Sequence, residues 1–164
     1  MLPSGPHKDE ALELLRTVFD DIRARPLDEA LEVHLNRDFG VGTQPYERLA
    51  QLLKLVVEEG WVAYVKIDGD DYRRGQIAEP SWETAGMSVE SGLLQDVKGQ
   101  YHCHTNGEIN MIIPLENDGR FCGTGAGWRV FAPMSEHFPT VTGKALMVYF
   151  LPGGEIEYRQ PPVA

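Results

Sequence analysis

Two stretches decide the fold of this chain: Tyr101-His102-Cys103-His104-Thr105-Asn106-Gly107-Glu108, and Gly127-Trp128-Arg129-Val130-Phe131-Ala132-Pro133-Met134-Ser135-Glu136-His137. Each pattern is typical of a β-strand that runs into a turn. Successive side chains of a strand point to opposite faces, so His102 and His104 share a face and Cys103 takes the other. Two imidazoles, a carboxylate after a glycine turn and a third imidazole from a later strand predict a metal site. An ordinary hydrogen-bonded histidine pair is the alternative.

The surrounding periodicity predicts a helical segment followed by a β domain. Apolar residues recur at helical spacing within residues 8–60, and the period changes to that of strands after Gly60. We therefore expect one compact domain, mainly β, in which a helical N-terminal extension (1–60) precedes a β-barrel (61–164). The predicted strands are 61–67, 72–77, 87–97, 100–105, 108–115, 127–132 and 144–151, with turns at 106–107, 117–119 and 152–154.

Composition excludes several classes of protein. The net charge of −10 argues against a nucleic-acid surface or an anionic membrane face as partner. No apolar run approaches the ~20 residues that span a bilayer, and the N-terminus has no signal pattern. Two cysteines do not make a disulfide framework, so a cytoplasmic location is the simplest expectation.

The candidate metal ligands are His102, His104, Glu108 and His137. This set of imidazoles and a carboxylate suits Fe, Mn or Ni, and Zn is also possible. Glu108 and His102 are the candidate catalytic residues. The alternatives are a solvated Glu108 beside Gly107 and a surface His137.

An acidic protein that takes an anionic substrate needs a local cation. Arginine grips a carboxylate with two parallel hydrogen bonds, which makes Arg129, Arg73 and Arg74 the candidates. Arg129 comes first because its strand leads towards His137; Arg73 and Arg74 face opposite ways. Tyr101 is a candidate wall for an aromatic substrate, although aromatic residues in small barrels usually belong to the core.

Neither cysteine is a convincing nucleophile. Cys103 faces away from the two histidines beside it, and nothing in the sequence near Cys122 is placed to activate a thiol.

The histidine pattern resembles the cupin superfamily. In its first motif, three or four residues separate His-x-His from Glu, and here three separate His104 from Glu108. In its second motif, Gly127 and Pro133 fit, Ser135 replaces a glycine and His137 arrives one residue early.

Two further departures from the cupin pattern concern glycines. Asp96 stands where the first motif has a glycine, and Gly119 lies further past Glu108 than the pattern asks. The resemblance implies a cupin-like β-barrel.

More specifically, the chain resembles the 4-hydroxylaminobenzoate lyase family of nitroaromatic degradation. The matching text comprises residues 72–75, 99–111, 125–128, 133–140 and 151–157, and the helical N-terminal third is also similar to that family. The resemblance implies conversion of 4-hydroxylaminobenzoate, a small aromatic carboxylate, to 3,4-dihydroxybenzoate (protocatechuate) with release of ammonia. This reaction moves no net electrons, and we expect no nicotinamide or flavin, in agreement with the absence of a dinucleotide fingerprint.

Two other functions remain open at this point. One is a cupin oxygenase that acts on an aromatic or thiol substrate, and the other is a small-molecule-binding cupin without activity. The apolar stripe of Leu49, Leu52, Leu53 and Val56 suggests a homodimer, unless the barrel buries it.

Overall fold

The N-terminal third is helical, as predicted. The computed structural model describes residues 1–163, and residue 164, the end of the predicted β domain, lies outside them. The helices are α1 (Lys8–Ile22), α2 (Glu29–Asp38) and α3 (Gln44–Val56), followed by a 3-10 turn, Val57–Glu59.

Local chemistry sets the ends of these helices. The Asp28 side chain caps α2 by accepting a hydrogen bond from the Leu31 amide (2.9 Å), and Thr43 caps α3 in the same way. Gly60 ends the helical region in a left-handed conformation, with φ at 82°.

Nine strands follow among the described residues, and all their pairings are antiparallel. They are β1 (Val65–Asp68), β2 (Tyr72–Ala78), β3 (Met87–Lys98), β4 (His102–His104), β5 (Glu108–Phe121), β6 (Gly127–Phe131), β7 (Ser135–His137), β8 (Thr140–Pro152) and β9 (Glu157–Tyr158). The large sheet has the order β1-β2-β3-β8-β5-β6, and the small sheet has the order β7-β4-β9.

The large sheet divides the molecule into a helix-facing side and a cavity-facing side. On the helix-facing side, apolar residues such as Val89, Ile109 and Val148 are fully buried in the main core. The Phe19 ring of α1 lies 4.6 Å from the Phe150 ring of β8. The mainly β, cupin-like fold with a helical extension is thus confirmed, although the two sheets do not close into one hydrogen-bonded barrel.

The stripe on α3 that suggested a dimer surface packs inside this same chain. Leu49, Leu52, Leu53 and Val56 are at most 1% exposed and belong to the main core. The stripe therefore no longer supports a homodimer, which stays a prediction. Within residues 1–163, no helix combines the length and apolar character needed to cross a bilayer.

Two local expectations from sequence differ from the structure. The turn predicted at 117–119 is an irregularity inside β5, where Asn117 and Asp118 take positive φ values (55° and 52°) and the strand continues. Residues 61–64 precede β1 as a buried segment, because Ala63 has a φ of 46° that breaks an extended strand. Asp96 itself adopts the left-handed conformation (φ 48°) and accepts a hydrogen bond from the Gly143 amide.

Candidate metal centre and substrate cavity

The three predicted histidine ligands all come from the small sheet. His102 of β4 pairs directly with His137 of β7, so both side chains lie on the same face. His104 is two residues further along β4 and shares that face, while Cys103 between them points the other way. His102 is 5% exposed and His104 is fully buried.

The Nε2 atoms of these histidines form a nearly equilateral triangle. The separations are 3.0 Å between His102 and His104, 2.9 Å between His104 and His137, and 3.1 Å between His137 and His102. An imidazole nitrogen either donates or accepts a hydrogen bond and cannot do both. Three mutually adjacent nitrogens therefore cannot all pair as donor and acceptor, and at least one contact is repulsive.

A shared cation removes this conflict, because all three lone pairs then point at one positive charge. Burial lowers the pKa of His104 to about 3, helped by the neighbouring His102 and His137, and burial lowers the pKa of His137 to about 4. Both imidazoles are therefore neutral at pH 7 and available as ligands. The His102 Nδ1 lies 3.0 Å from the Gln100 carbonyl oxygen, which can only accept. The proton of His102 is thus on Nδ1, and its Nε2 presents a lone pair.

The size of the triangle also fits a metal ion. At metal–nitrogen distances of about 2.1 Å, ligands at about 90° are about 3.0 Å apart, whereas tetrahedral ligands are about 3.4 Å apart. The observed separations of 2.9–3.1 Å match the right-angled arrangement. These residues can hold a divalent ion on three imidazoles.

Glu108 lies beside the triangle rather than at one of its corners. A tight turn at Gly107 precedes Glu108 and sets its position. The turn requires glycine, because Gly107 has a φ of 87° and a Cβ there would lie 2.8 Å from the Phe131 carbonyl oxygen. The Glu108 Oε1 is 3.6 Å from the His104 Nε2. Burial raises the pKa of the Glu108 carboxyl to about 8. The predicted four-residue set is thus gathered at one place.

A cavity of about 640 Å³ opens beside the centre, between the two sheets. His102 and Glu108 line one part of it, and the Arg74 guanidinium lines another. Burial alone would lower the pKa of Arg74. The nearby phenol oxygens of Tyr158, Tyr72 and Tyr149 have the larger combined effect, so the pKa of Arg74 is raised. The Tyr158 ring lies beside His102 at the cavity wall, with ring centroids 5.9 Å apart.

The other predicted substrate-binding residues lie away from this cavity. Arg129 donates to the Thr124 hydroxyl (2.8 Å), and its Nε is 3.5 Å from a Glu32 carboxylate oxygen on α2. Arg73 faces the opposite side of β2 from Arg74. The Tyr101 hydroxyl donates to Glu136 (3.2 Å). Of the four, only Arg74 is among the cavity-lining residues.

Sequence reasoning missed several residues of the site. Tyr72 and Tyr149 line the cavity, and β8 places Tyr149 directly between Glu90 and Asn110. Tyr72 and Arg74 are two residues apart on β2, so the sequence could have predicted that they share a face. The position of Tyr149 depends on the order of the strands in the sheet, which the sequence does not show. Cys122 was also missed, and its sulfur lies 3.5 Å from the His137 Nδ1. Burial raises the pKa of the Cys122 thiol, which agrees with the expectation that it is not a nucleophile.

Comparison with known proteins places these features in a family. A family model described as 4-hydroxylaminobenzoate lyase (PnbB) matches residues 13–158. The chain is 38% identical to a 4-hydroxylaminobenzoate lyase of Nocardioides sp. (strain LMS-CY), over 88% of this chain and 90% of that protein. It is 32% identical to a 4-hydroxylaminobenzoate lyase of Pseudomonas putida, over 92% of this chain and 95% of that protein.

A solved structure supports the fold alone. A chain from the crystal structures of the DMSP lyases RdDddP and RnDddQII superposes with a TM-score of 0.55 at 15% identity. The match covers 94% of this chain and 96% of that chain.

Proposed function

The chain belongs to the 4-hydroxylaminobenzoate lyase family, and we propose that it releases ammonia from 4-hydroxylaminobenzoate with the help of a divalent metal ion on His102, His104 and His137. The observation that carries the metal is the triangle of Nε2 atoms, whose contacts cannot be satisfied by hydrogen bonds alone. The product is 3,4-dihydroxybenzoate.

The reaction balances without an external oxidant or reductant. Substrate and one water together contain the same atoms as 3,4-dihydroxybenzoate and ammonia. The hydroxylamine oxygen leaves as water, a second water adds to the ring carbon next to the nitrogen, and a third hydrolyses the resulting imine. Loss of one water and uptake of two give the net consumption of one. No nicotinamide, flavin or dioxygen is needed.

In the proposed reaction, the metal centre provides the Lewis acid and Glu108 provides the base. A bound divalent ion supplies a Lewis acid for the departing hydroxylamine oxygen. Glu108 accepts the proton of the attacking water. Burial favours its protonated form, but its Oε1 lies 3.6 Å from the His104 Nε2, so a cation held by the histidines would favour the carboxylate that this role needs. His102 is the histidine that lines the cavity, so it borders both the ion and the substrate.

Arg74 anchors the carboxylate of the substrate. It lines the cavity and is surrounded by phenol rings that leave its charge available, whereas Arg129 is engaged by Glu32 and Thr124. Lys98 also lines the cavity, but its ammonium sits over the Phe138 ring at 4.1 Å. A bidentate arginine–carboxylate pair holds the acid at one end of the cavity and the hydroxylamine at the metal end.

Right-angled ligand spacing favours a six-coordinate ion such as Fe, Mn or Ni over tetrahedral Zn. A cytoplasmic location and a homodimer are also part of the proposal.

The deciding experiment is turnover without dioxygen. Purified protein is incubated anaerobically with 4-hydroxylaminobenzoate while ammonia and 3,4-dihydroxybenzoate are measured, and the metal content of the same sample is determined. Equal amounts of both products are expected, with about one metal ion per chain. Activity that requires dioxygen would show an oxygenase instead. Full activity in metal-free protein would show that the histidines work as an acid–base cluster. His7→Ala, a change to an exposed histidine outside the triangle, is the matched control.

A further inference from the structure

Cys122 occupies a turn position that cysteine does not favour. Phe121 and Thr124 exchange both backbone hydrogen bonds (2.9 Å each), so Cys122-Gly123 is a two-residue hairpin turn. Both central residues have positive φ, 49° for Cys122 and 83° for Gly123. Turns of this kind prefer Asn-Gly, because asparagine tolerates the left-handed conformation better than most side chains. Local preference therefore does not explain the cysteine.

The contacts of the thiol supply a reason. Its sulfur lies 3.5 Å from the His137 Nδ1 and 3.8 Å from the Phe138 carbonyl oxygen. The carbonyl can only accept, so it offers the S–H an acceptor; with the S–H directed to Phe138, a sulfur lone pair is left to accept from the Nδ1–H of His137. In that arrangement the His137 proton is on Nδ1 and the Nε2 lone pair faces the triangle.

The three histidines differ in how their far nitrogens are held. The Gln100 carbonyl oxygen holds the Nδ1 of His102 at 3.0 Å, whereas the Nδ1 of His104 is buried without a partner among the described residues. A partner at the far nitrogen fixes the ring orientation and the tautomer of a metal-binding histidine. For His137, that partner is Cys122.

We infer that Cys122 is a positioning residue that fixes His137 in its metal-binding tautomer; this deepens the proposed function, whose metal centre it serves. Cys122 does not touch the substrate or the ion in this role. It acts only through the imidazole of His137.

Cys122→Gly separates this role from a structural one. Glycine suits the positive φ, so the turn is relieved of strain while the sulfur is removed. We expect Mn(II) affinity, measured by chelator competition, to fall by roughly tenfold or more. The thermal midpoint of the metal-free protein should stay the same or rise. In metal-free protein, ¹⁵N NMR of the histidine rings should show His137 shifting from the Nδ1–H form towards Nε2–H.

Two further variants sharpen the test. Asp118→Gly relieves a similar positive φ (52°) at an exposed site, and it should leave Mn(II) affinity unchanged. Cys122→Ser retains an acceptor and should recover part of the affinity and of the Nδ1–H population.

The possible failures are distinguishable. Unchanged affinity together with an unchanged His137 tautomer in Cys122→Gly would overturn the inference. So would a fall in thermal midpoint that accounts for the lost affinity. If the wild-type protein binds no metal, the proposed function fails, while the tautomer of His137 in metal-free protein still decides the role of Cys122.

Discussion

The two faces of the large sheet are built from alternating residues of the same strands, yet they differ in nearly every property. On β5, Ile109 and Met111 point to the helices and are fully buried among apolar groups. Glu108 and Asn110, their immediate neighbours, line the cavity. The Asn110 Nδ2 is buried without a hydrogen-bond partner in residues 1–163. The helix-facing side stabilises the fold, and the cavity-facing side leaves polar groups free for a ligand.

The largest loss of activity should follow a substitution in the histidine triangle, which lies across the cavity from the large sheet. His104→Ala removes one of three ligands and should lower bound metal and reduce kcat/KM by ~10³-fold. The metal-free variant should be no less stable than the metal-free parent, because the repulsive nitrogen contacts and an unpartnered Nδ1 are removed. Metal analysis, kinetics and thermal unfolding check this. Wild-type metal content in the variant would contradict the assignment.

On the helix-facing side, Phe150→Ala should act on stability instead. The Phe150 ring is fully buried between Phe19 and Trp128, and its loss should lower the free energy of unfolding by about 3–5 kcal/mol. Tyr149→Phe, one residue away on the cavity face, should change it by less than about 1.5 kcal/mol. Urea denaturation measures both. Similar losses of unfolding free energy in the two variants would contradict the idea that only the helix-facing side stabilises the fold.

Arg74→Ala should weaken substrate binding. Loss of a charged bidentate pair predicts a rise in KM for 4-hydroxylaminobenzoate of roughly tenfold to a hundredfold. Phenylhydroxylamine, which lacks the carboxylate, should be affected much less. Arg129→Ala is the matched control, because its partners Glu32 and Thr124 lie outside the cavity lining. If Arg129→Ala shows the selective loss and Arg74→Ala does not, the anchor is Arg129.

The smallest effect concerns Glu90, at the polar end of the cavity face. Burial raises the pKa of the Glu90 carboxyl from 4.5 to about 6, against an opposing pull from Ser88 and Arg74. The folded state therefore favours the protonated form. Its stabilisation is full below about pH 4.5 and is lost as the pH rises through about 6.

Glu90→Gln should remove this pH dependence. Relative to the variant, the parent should lose about 1–2 kcal/mol of unfolding free energy between pH 4.5 and pH 7. Denaturation curves at several pH values measure the difference. Parallel stability–pH profiles for parent and variant would show that Glu90 titrates normally.

Strand periodicity was enough to predict much of the centre. The shared face of His102 and His104 follows from a period of two residues, and it holds in β4. The pairing that brings in His137 is a register between strands 33 residues apart, for which only the motif resemblance gave a hint. The helices were predictable because their apolar stripes and caps are local.

Lateral position within the sheet was not predictable from local pattern. Arg129 of β6 pairs with Asn110 of β5. Its side chain therefore leaves the backbone on the same, cavity-facing side of the sheet, as expected. However, β6 is the edge strand, and its Arg129 meets Glu32 of α2 instead of the cavity. Arg74 lies on β2, nearer the other edge. The segment 117–119 shows a related limit, because residues that tolerate positive φ serve turns and strand irregularities equally.

All three histidines of the metal centre belong to the small sheet, whereas Arg74 and Glu108 belong to the large one. The proposed metal ligands and the proposed substrate anchor thus belong to different sheets, while Glu108 of the large sheet lies directly beside the histidines. Substitutions along β2 can move or exchange the anchoring cation without disturbing a single metal ligand. The same centre could in this way serve hydroxylamines of other lengths and charges, so substrate range is free to diverge while the chemistry is retained.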